Sequence, residues 1–355
     1  MEKLVDERLK IVKNARRLLK FLDEKREKIS PMLIVTHDYP DPDALASAVT
    51  LQYIAEQGFG IQSRVVYGGI IGRNENKDMV QILKLPVHKL RHGDFKKYQN
   101  IVLVDTQPEF ENNPFPKNRK LMLVIDQHAS LRRPNAELSI VDTECGATCV
   151  ILARALLMLK KEVPSRIATA LAYGIVTDTL NLYRAPHMHV IETYLDVLPF
   201  SDMRALAKIQ NPTRSRRFFS TLGRGIQNAM AKRRLVISHL GSVENPDLVS
   251  QVTEFLLTYK GARYACCTGR FRGKMHVSLR IATPGADAGE ILRDVFSSRG
   301  EAGGHGSIAG GSFEVGDAVE SEIWSQIEAG LAENLSRRLR IPKKIEFYYP
   351  FRKKE

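Results

Sequence analysis

Four short segments of this 355-residue chain place carboxylates and imidazoles at spacings that suit metal ions. His37, Asp41 and Asp43 stand among Pro40 and Pro42 directly after the apolar run Met32 to Val35. Asp105 follows the apolar run Ile101 to Val104, and Asp126, Gln127 and His128 close the run Leu121 to Ile125. Asp178 ends a largely apolar stretch that begins at Tyr173. Carboxylate oxygens and imidazole nitrogens, without thiolates, form a donor set for hard or borderline divalent cations. Two such cations about 3.5–4 Å apart can activate a water and offset the charge that builds on a phosphoryl group under attack. Each residue also has an ordinary reading. Asp41 is a good helix N-cap with Pro42 at the first helical position, Asp178 suits a helix end, and His128 suits a strand end without a role.

The elements that must carry these residues favour the joint reading. Short apolar runs bounded by turn residues read as strands buried on both faces, the pattern of a parallel sheet. Ligands bind at the carboxyl edge of such a sheet, so three strands ending in acid or imidazole would bring distant segments together. Asp43 falls in the first turn of a helix expected to run through Ala55. Tyr67 to Asn76 follows the second predicted strand, which makes Arg73 and Asn76 candidates for the same crevice, or for a surface cap. Beyond residue 234 the pattern changes to a mixed one. Leu235–Leu240, Ala262–Thr268 and Met275–Ile281 read as strands, and Pro246–Tyr259 and Asp287–Ser298 as helices. Gly303 to Gly311 is expected to form a tight turn whose amides can approach a phosphate or a base. His305 would add a donor there, and Arg280, at the end of the strand Val277–Leu279, a planar cation.

His37-x-x-Pro40-Asp41-x-Asp43-Ala44-x-x-Ser47, then Asp105, then Asp126-Gln127-His128, then Asp178-Thr179, resemble motifs one to four of the DHH phosphoesterase family. Gly303-Gly304-His305-Gly306-Ser307-Ile308-Ala309-Gly310-Gly311 resembles the signature of the DHHA1 domain that follows in many members. Together these cover roughly residues 30 to 315, and the size is that of the nanoRNase subgroup, oligoribonucleases and 3′-phosphoadenosine 5′-phosphate (pAp) phosphatases. The resemblance implies an α/β protein: a mainly parallel DHH sheet with helices on both faces, and a smaller mixed α/β DHHA1 domain. It implies two divalent cations, Mn²⁺ or Mg²⁺, with His37 and Asp41 on the first, Asp43 and Asp178 on the second, and Asp105 bridging. His128 would face the substrate phosphate, with Asp105 and His128 the catalytic pair, while Gly303, Gly304, His305 and Arg280 would hold the nucleotide. The implied reaction is hydrolysis of short single-stranded RNA to mononucleotides, with pAp as a further candidate substrate. Two departures stand out: Ala302 replaces the first family glycine, and Gln127 replaces the family's first histidine, a ligand of the second metal. An amide oxygen is a harder ligand than imidazole, which shifts the expectation toward Mg²⁺.

The expected organisation is a basic amino-terminal helix over residues 1–30, the metal-binding domain over 31–200, a basic linker over 201–234, the substrate domain over 235–340, and a basic tail over 341–355. The net charge is +13. Residues 211–234 hold Arg214, Arg216, Arg217, Arg224, Lys232, Arg233 and Arg234 with no acid, and both ends of the chain are basic as well. Cations ringed around an acidic, metal-filled cleft suit an anionic substrate; solvated helix faces are the alternative. No apolar run approaches a bilayer's span, and the apolar residues of Met1 to Lys28 are too dispersed for a secretory signal. Cys145, Cys149, Cys266 and Cys267 follow no zinc spacing and read as reduced thiols of a cytoplasmic protein, with Cys145 and Cys149 in one helix. Helices at Val5–Leu22 and Val319–Leu339 are candidates for a homodimer contact. Two rival functions remain open: a phosphodiesterase acting on cyclic or linear dinucleotides, and a nucleotide-binding regulator that has lost turnover.

Overall fold

In the computed structural model the apolar runs pair side by side. It describes residues 2–71, 74–130, 132–283, 286–297, 300–305, 307–316 and 320–352. The chain divides into two units, residues 1–212 and 213–355. The first unit runs α1 (Glu2–Ile29), β1 (Met32–Val35), α2 (Pro42–Phe59), β2 (Ser63–Tyr67), α3 (Asn74–Ile82), β3 (Val87–Lys89), α4 (Asp94–Lys97), β4 (Asn100–Val104), β5 (Leu121–Asp126) and β6 (Leu138–Val141). Helices α5 (Thr148–Met158), α6 (Ser165–Asp178), α7 (Met188–Val197) and α8 (Met203–Gln210) complete it.

The six strands form one parallel sheet in the order β3-β2-β1-β4-β5-β6. Side chains alternate across it, as period-2 geometry requires. Met32, Ile34, Val102 and Val104 join the core formed with α1, α2, α5 and α6, whereas Leu33, Val35, Ile101 and Leu103 pack on the other face with Phe115. That second face has the lighter cover, with Phe95 of α4 among its packing partners.

The second unit runs α9 (Arg216–Gln227), β7 (Met230–Lys232), β8 (Leu235–Ser242), α10 (Asp247–Leu257), β9 (Tyr264–Phe271), β10 (Lys274–Ile281), α11 (Ala288–Phe296), β11 (Glu301–His305), β12 (Ile308–Glu314) and α12 (Ser321–Arg338). Its sheet, ordered β11-β12-β10-β9-β8-β7, is mixed: β8 and β9 are parallel and the other pairs antiparallel.

Four expectations change here. Residues 201–234 are not a free linker: α8 buries Leu206 and Ile209 in the first unit, and α9 buries Phe218 and Leu222 in the second. In α9 the apolar residues recur at helical spacing while Arg216, Arg217 and Arg224 lie outside, and the density of charge hid the period. The glycine-rich segment is not one turn but the hairpin β11–β12, with Gly303 opposite Gly310 and Gly304 opposite Ala309. Glycine is needed at residue 304, where φ is +147° and a Cβ would come 2.3 Å from the Ile308 carbonyl oxygen. The carboxyl-terminal stretch is docked through Tyr348, which exchanges backbone hydrogen bonds of 2.7 and 2.9 Å with Ala231. Cys145 precedes α5 and does not share its helix with Cys149, although all four cysteines are buried and free. No described helix is long and apolar enough to cross a membrane.

Candidate metal centre

Strands β1 and β4 are neighbours, yet the chain leaves them in opposite directions, toward β2 and β3 on one side and toward β5 and β6 on the other. Crossover connections diverge at such a switch point and open a crevice beyond the strands' carboxyl ends. His37 follows β1 and Asp105 follows β4, so both sit at its mouth. His37 Nε2 lies 3.5 Å from Asp105 Oδ2 and 3.9 Å from Asp41 Oδ1. Its Nδ1 is 2.7 Å from the Asp38 carbonyl oxygen and donates to it, which fixes the tautomer that leaves Nε2 free to coordinate. Asp105 is buried with φ at +58°, a left-handed backbone that costs an L-residue roughly 1–3 kcal/mol and collects at functional sites.

The helices bring the other acids to the same edge. Asp41 caps α2 by accepting from the Ala44 amide at 3.0 Å, so it serves as a cap while its oxygen also faces His37. Asp43, one turn in, is met by the amino terminus of α5: the Thr148 and Cys149 amides donate to its two oxygens, each at 2.7 Å. Unpaired amides at a helix start favour an anion, so α5 fixes that carboxylate in place. Asp178 is the last residue of α6, and the next turn places Leu180, Asn181 and Leu182 at φ of +48°, +55° and +68°. Thr179 braces this strained turn, donating from Oγ1 to the Ile175 carbonyl at 2.6 Å and accepting the Leu182 amide at 3.1 Å.

Gln127 spans the remaining gap, its amide nitrogen donating to Asp178 and to Asp43, the latter at 3.2 Å. Turned by 180°, the same amide would present its oxygen to that spot. His128 is half exposed, and its Nδ1 lies 2.8 Å from Asp126 Oδ1. Asp126 is engaged on every side, accepting also from the Gln127 amide at 2.9 Å and from Gln107 Nε2 at 2.6 Å. It orients His128 rather than offering a free oxygen.

The electrostatics fit a cation. Burial, then the nearby charges of Asp105, Asp178 and Asp41, push the Asp43 carboxyl well above its ordinary range. Burial likewise raises Asp105, and burial with repulsion from Asp41 and Asp105 takes Asp178 to about 7. The hydrogen bond to Asp126 lifts His128 to about 9. Among the described residues no lysine or arginine pairs with Asp41, Asp43, Asp105 or Asp178, so these close-packed acids repel one another, and a divalent cation among them removes that repulsion. The nitrogen of His37 and oxygens of Asp41 and Asp105 lie within 4.8 Å of one another, as do those of Asp105, Asp126 and His128. All the donors are oxygen or imidazole nitrogen, the set that Mn²⁺ and Mg²⁺ accept.

His37, Asp41, Asp43, Asp105, Gln127, His128 and Asp178 thus all belong to the first unit and gather at one sheet edge. Asn76 is buried beside them, its side-chain nitrogen 3.5 Å from the Pro40 carbonyl, where it steadies the first turn of the site. Arg73 lies outside the described residues, as does the His305 side chain. Arg280, expected to offer a planar cation to phosphate, is buried in the second unit. Its Nε contacts Glu254 at 3.2 Å, and one terminal nitrogen donates to Ser278, Leu279 and Ala309, so it holds β10, β12 and α10 together. Sequence reasoning passed over Thr148, whose hydroxyl donates to Asp105 Oδ1 at 2.7 Å, and Gln107, which ties Asp126 to the His128 carbonyl. A Gly146 turn before an apolar helix was the only available signal for Thr148.

Residues 31–175 match the DHH family, N-terminal domain. Over this stretch the chain is similar to the DHH family. The matched stretch spans every gathered residue except Asp178, which lies just past it. Over 315 residues, 88% of this chain, the sequence is 30% identical to an uncharacterized protein of Methanocaldococcus jannaschii, 64% of which is matched. Over 170 residues, 46% of this chain and 52% of the relative, it is 26% identical to a probable manganese-dependent inorganic pyrophosphatase of Streptococcus pyogenes. The chain therefore spans less than two thirds of the length of these curated relatives. The crystal structure of an exopolyphosphatase-related protein from Bacteroides fragilis aligns with a TM-score of 0.67 over 91% of this chain and 98% of that one, at 15% identity. That likeness is one of fold.

Proposed function

We propose that this protein is a metal-dependent phosphoesterase that hydrolyses short single-stranded RNA to mononucleotides and also accepts pAp. The observation that carries the reading is the gathering of His37, Asp41 and Asp105 within 4.8 Å at the switch point of a sheet similar to the DHH family, with Asp43 and Asp178 alongside. The name of the Streptococcus pyogenes relative, a probable manganese-dependent inorganic pyrophosphatase, supports both the metal and phosphate as the group attacked. His37 and Asp41 would hold one divalent cation, Asp43 and Asp178 a second, and Asp105 both. Bound there, the cations supply a water ionised near neutral pH and positive charge opposite the phosphoryl group. His128, half exposed and charged through its bond to Asp126, donates to a phosphate oxygen of the substrate. Asp126 and Gln107 keep its ring aimed, and Thr148 keeps Asp105 aimed.

Hydrolysis of a labelled RNA dinucleotide, a longer oligomer, pAp and pyrophosphate by native protein and Asp105→Ala, in Mn²⁺ and in Mg²⁺, tests this. The expected result is cleavage of the dinucleotide and pAp by the native protein and a loss of about a thousandfold or more in the variant, about 4 kcal/mol of barrier. No cleavage in either metal overturns the reading, and turnover of pyrophosphate alone replaces it. One observation favours a second reading, a nucleotide-binding regulator: the Gln127 amide already satisfies Asp43 and Asp178, the pair that would hold the second cation. Tight nucleotide binding without turnover in both metals would establish that alternative. Turnover of cyclic or linear dinucleotides in preference to longer RNA would assign the site to dinucleotide breakdown.

A further inference from the structure

We propose that the second unit holds a separate binding pocket for the phosphodiester backbone of single-stranded nucleic acid, lined by Arg233, Arg234, Arg263 and Arg340. It lies apart from the metal-binding residues in sequence, needs no cation, and stands whether or not the first unit hydrolyses RNA. Three segments line an open surface recess of about 670 Å³: the turn between β7 and β8, the start of β9 at Arg263 and Tyr264, and the end of α12 at Leu339, Arg340 and Ile341. The Arg234 carbonyl accepts the Arg263 and Tyr264 amides at 2.8 and 3.1 Å, which locks the first two segments together.

All four guanidinium groups are exposed, and none has a carboxylate partner among the described residues. Other arginines of the unit do: Arg270 meets Glu328, Arg217 meets Glu244, and Arg338 meets Asp294. Four cations gathered without an acid repel one another and leave their donors to water, an arrangement that an incoming polyanion relieves.

Two of the four arginines stand where glycine would ordinarily be placed. Arg233 and Arg340 both stand at φ of +54°. Arg233 opens the two-residue turn closed by the Lys232–Leu235 pair, a position that favours asparagine or glycine. Arg340 follows Leu339, which ends α12, at the place where helices most often put glycine. Both positions favour glycine or asparagine, yet both carry arginine; Lys84, Lys160 and Arg272 are other basic residues at positive φ, outside the pocket.

The lining names the ligand class. Guanidinium forks match phosphate oxygens two at a time. A recess of about 670 Å³ that is open to solvent exceeds what one phosphate fills and leaves room for a chain to enter and leave. Tyr264, Leu339 and Ile341 pack partly buried against the core of the second unit and line the recess beside the arginines, so an unpaired base would meet an aromatic and apolar edge there. A recess that admits a base suits a single strand better than a duplex or a flat lipid surface.

Fluorescein-labelled oligoadenylate RNA, titrated into the full chain in EDTA so that nothing is cleaved, tests the pocket. Each phosphate contact on a single strand contributes about −0.7 to the slope of log affinity against log salt, so three or four arginines predict a slope of roughly −2 to −3. Arg234→Gln with Arg263→Gln is expected to weaken binding at least tenfold and flatten the slope by about 1.4. Arg233→Gly with Arg340→Gly is expected to weaken it as much while melting no lower than the native protein, which a merely structural role would not produce. The charge-matched pair Lys96→Gln and Lys161→Gln, exposed in the first unit, is expected to bind as the native protein does. Unchanged binding in both arginine variants overturns the proposal, as does equal weakening in the lysine control. Capture of phosphatidylserine vesicles or polyphosphate in preference to oligoadenylate overturns it as well. The EDTA keeps this outcome separate from success or failure of hydrolysis at the metal centre.

Discussion

Thr148 does two things from one position. Its amide holds Asp43 and its hydroxyl holds Asp105, each at 2.7 Å. Removing only the hydroxyl leaves Asp105 short of a partner while α5 and the grip on Asp43 remain. Groups that orient metal ligands typically matter by 10- to 100-fold, so Thr148→Val is expected to lower turnover about 10- to 100-fold and weaken Mn²⁺ affinity. Metal titration beside kcat would show it, and unchanged values would remove Thr148 from the site. Gln127 is a contrasting case. Its amide bridges Asp43 and Asp178; an amide oxygen suits both Mg²⁺ and Mn²⁺, whereas imidazole is a softer donor that a transition metal such as Mn²⁺ accepts more readily than Mg²⁺. Gln127→His is therefore expected to raise the ratio of Mn²⁺- to Mg²⁺-supported activity by about tenfold, worth about 1.4 kcal/mol. An identical metal profile in the two proteins would sink that idea. Gln127 was legible as a departure in an otherwise matching motif, whereas Thr148 was not, because it opens an apolar helix with no acid or imidazole beside it in the sequence.

The spacing of the acids is set between elements. Helix α2 starts with Asp43 in its first turn and α6 ends with Asp178, and the two helices cross at Gly174. A Cβ on Gly174 would meet Ala46 Cβ and the Pro42 carbonyl oxygen, each at 3.2 Å, and Cys149 Sγ at 3.1 Å. That residue thus lets α2, α5 and α6 approach together. Gly174→Leu is expected to cost roughly 1–3 kcal/mol of stability, as overpacking does, and to weaken metal binding by separating Asp43 from Asp178. Urea unfolding and Mn²⁺ titration measure the two effects; a variant with native metal affinity would show that the helix spacing does not govern the site. The strands themselves were readable, since Met32–Val35, Ile101–Val104 and Leu121–Ile125 are unbroken apolar runs. Helix α9 was less so, because its arginines flank Phe218 and Leu222 closely enough to look like a charge run.

At the scale of the molecule, the two units have separate cores and only the first contains the candidate metal ligands. A ligand that binds one folded unit stabilises that unit alone, by about 2.7 kcal/mol at a hundred times its dissociation constant. Calorimetry is thus expected to resolve two transitions, with Mn²⁺ raising one and EDTA lowering it while the other stays fixed. Both transitions moving equally, or neither moving, would contradict the assignment of the cations to the first unit. The charge of the chain fits the same division of labour, with acids held at the sheet edge of one unit and unpaired arginines in a pocket of the other.

The sequence alone determined the parallel sheet, the residues offered at its carboxyl edge and their donor chemistry, because apolar runs and the acids that end them are local facts. The DHH match rests on that same local record. Tertiary structure decided which groups meet. Only the order β3-β2-β1-β4-β5-β6 places His37 beside Asp105, and only the packing of α5 on α2 brings Thr148 to Asp43 and Asp105. It also turned Arg280 inward on Glu254 and drew Arg233, Arg234, Arg263 and Arg340 into one pocket. The physical reason is common to all of these. A side chain's type is written in the chain, but its neighbours follow from how helices and strands remote in sequence pack, and function depends on those neighbours.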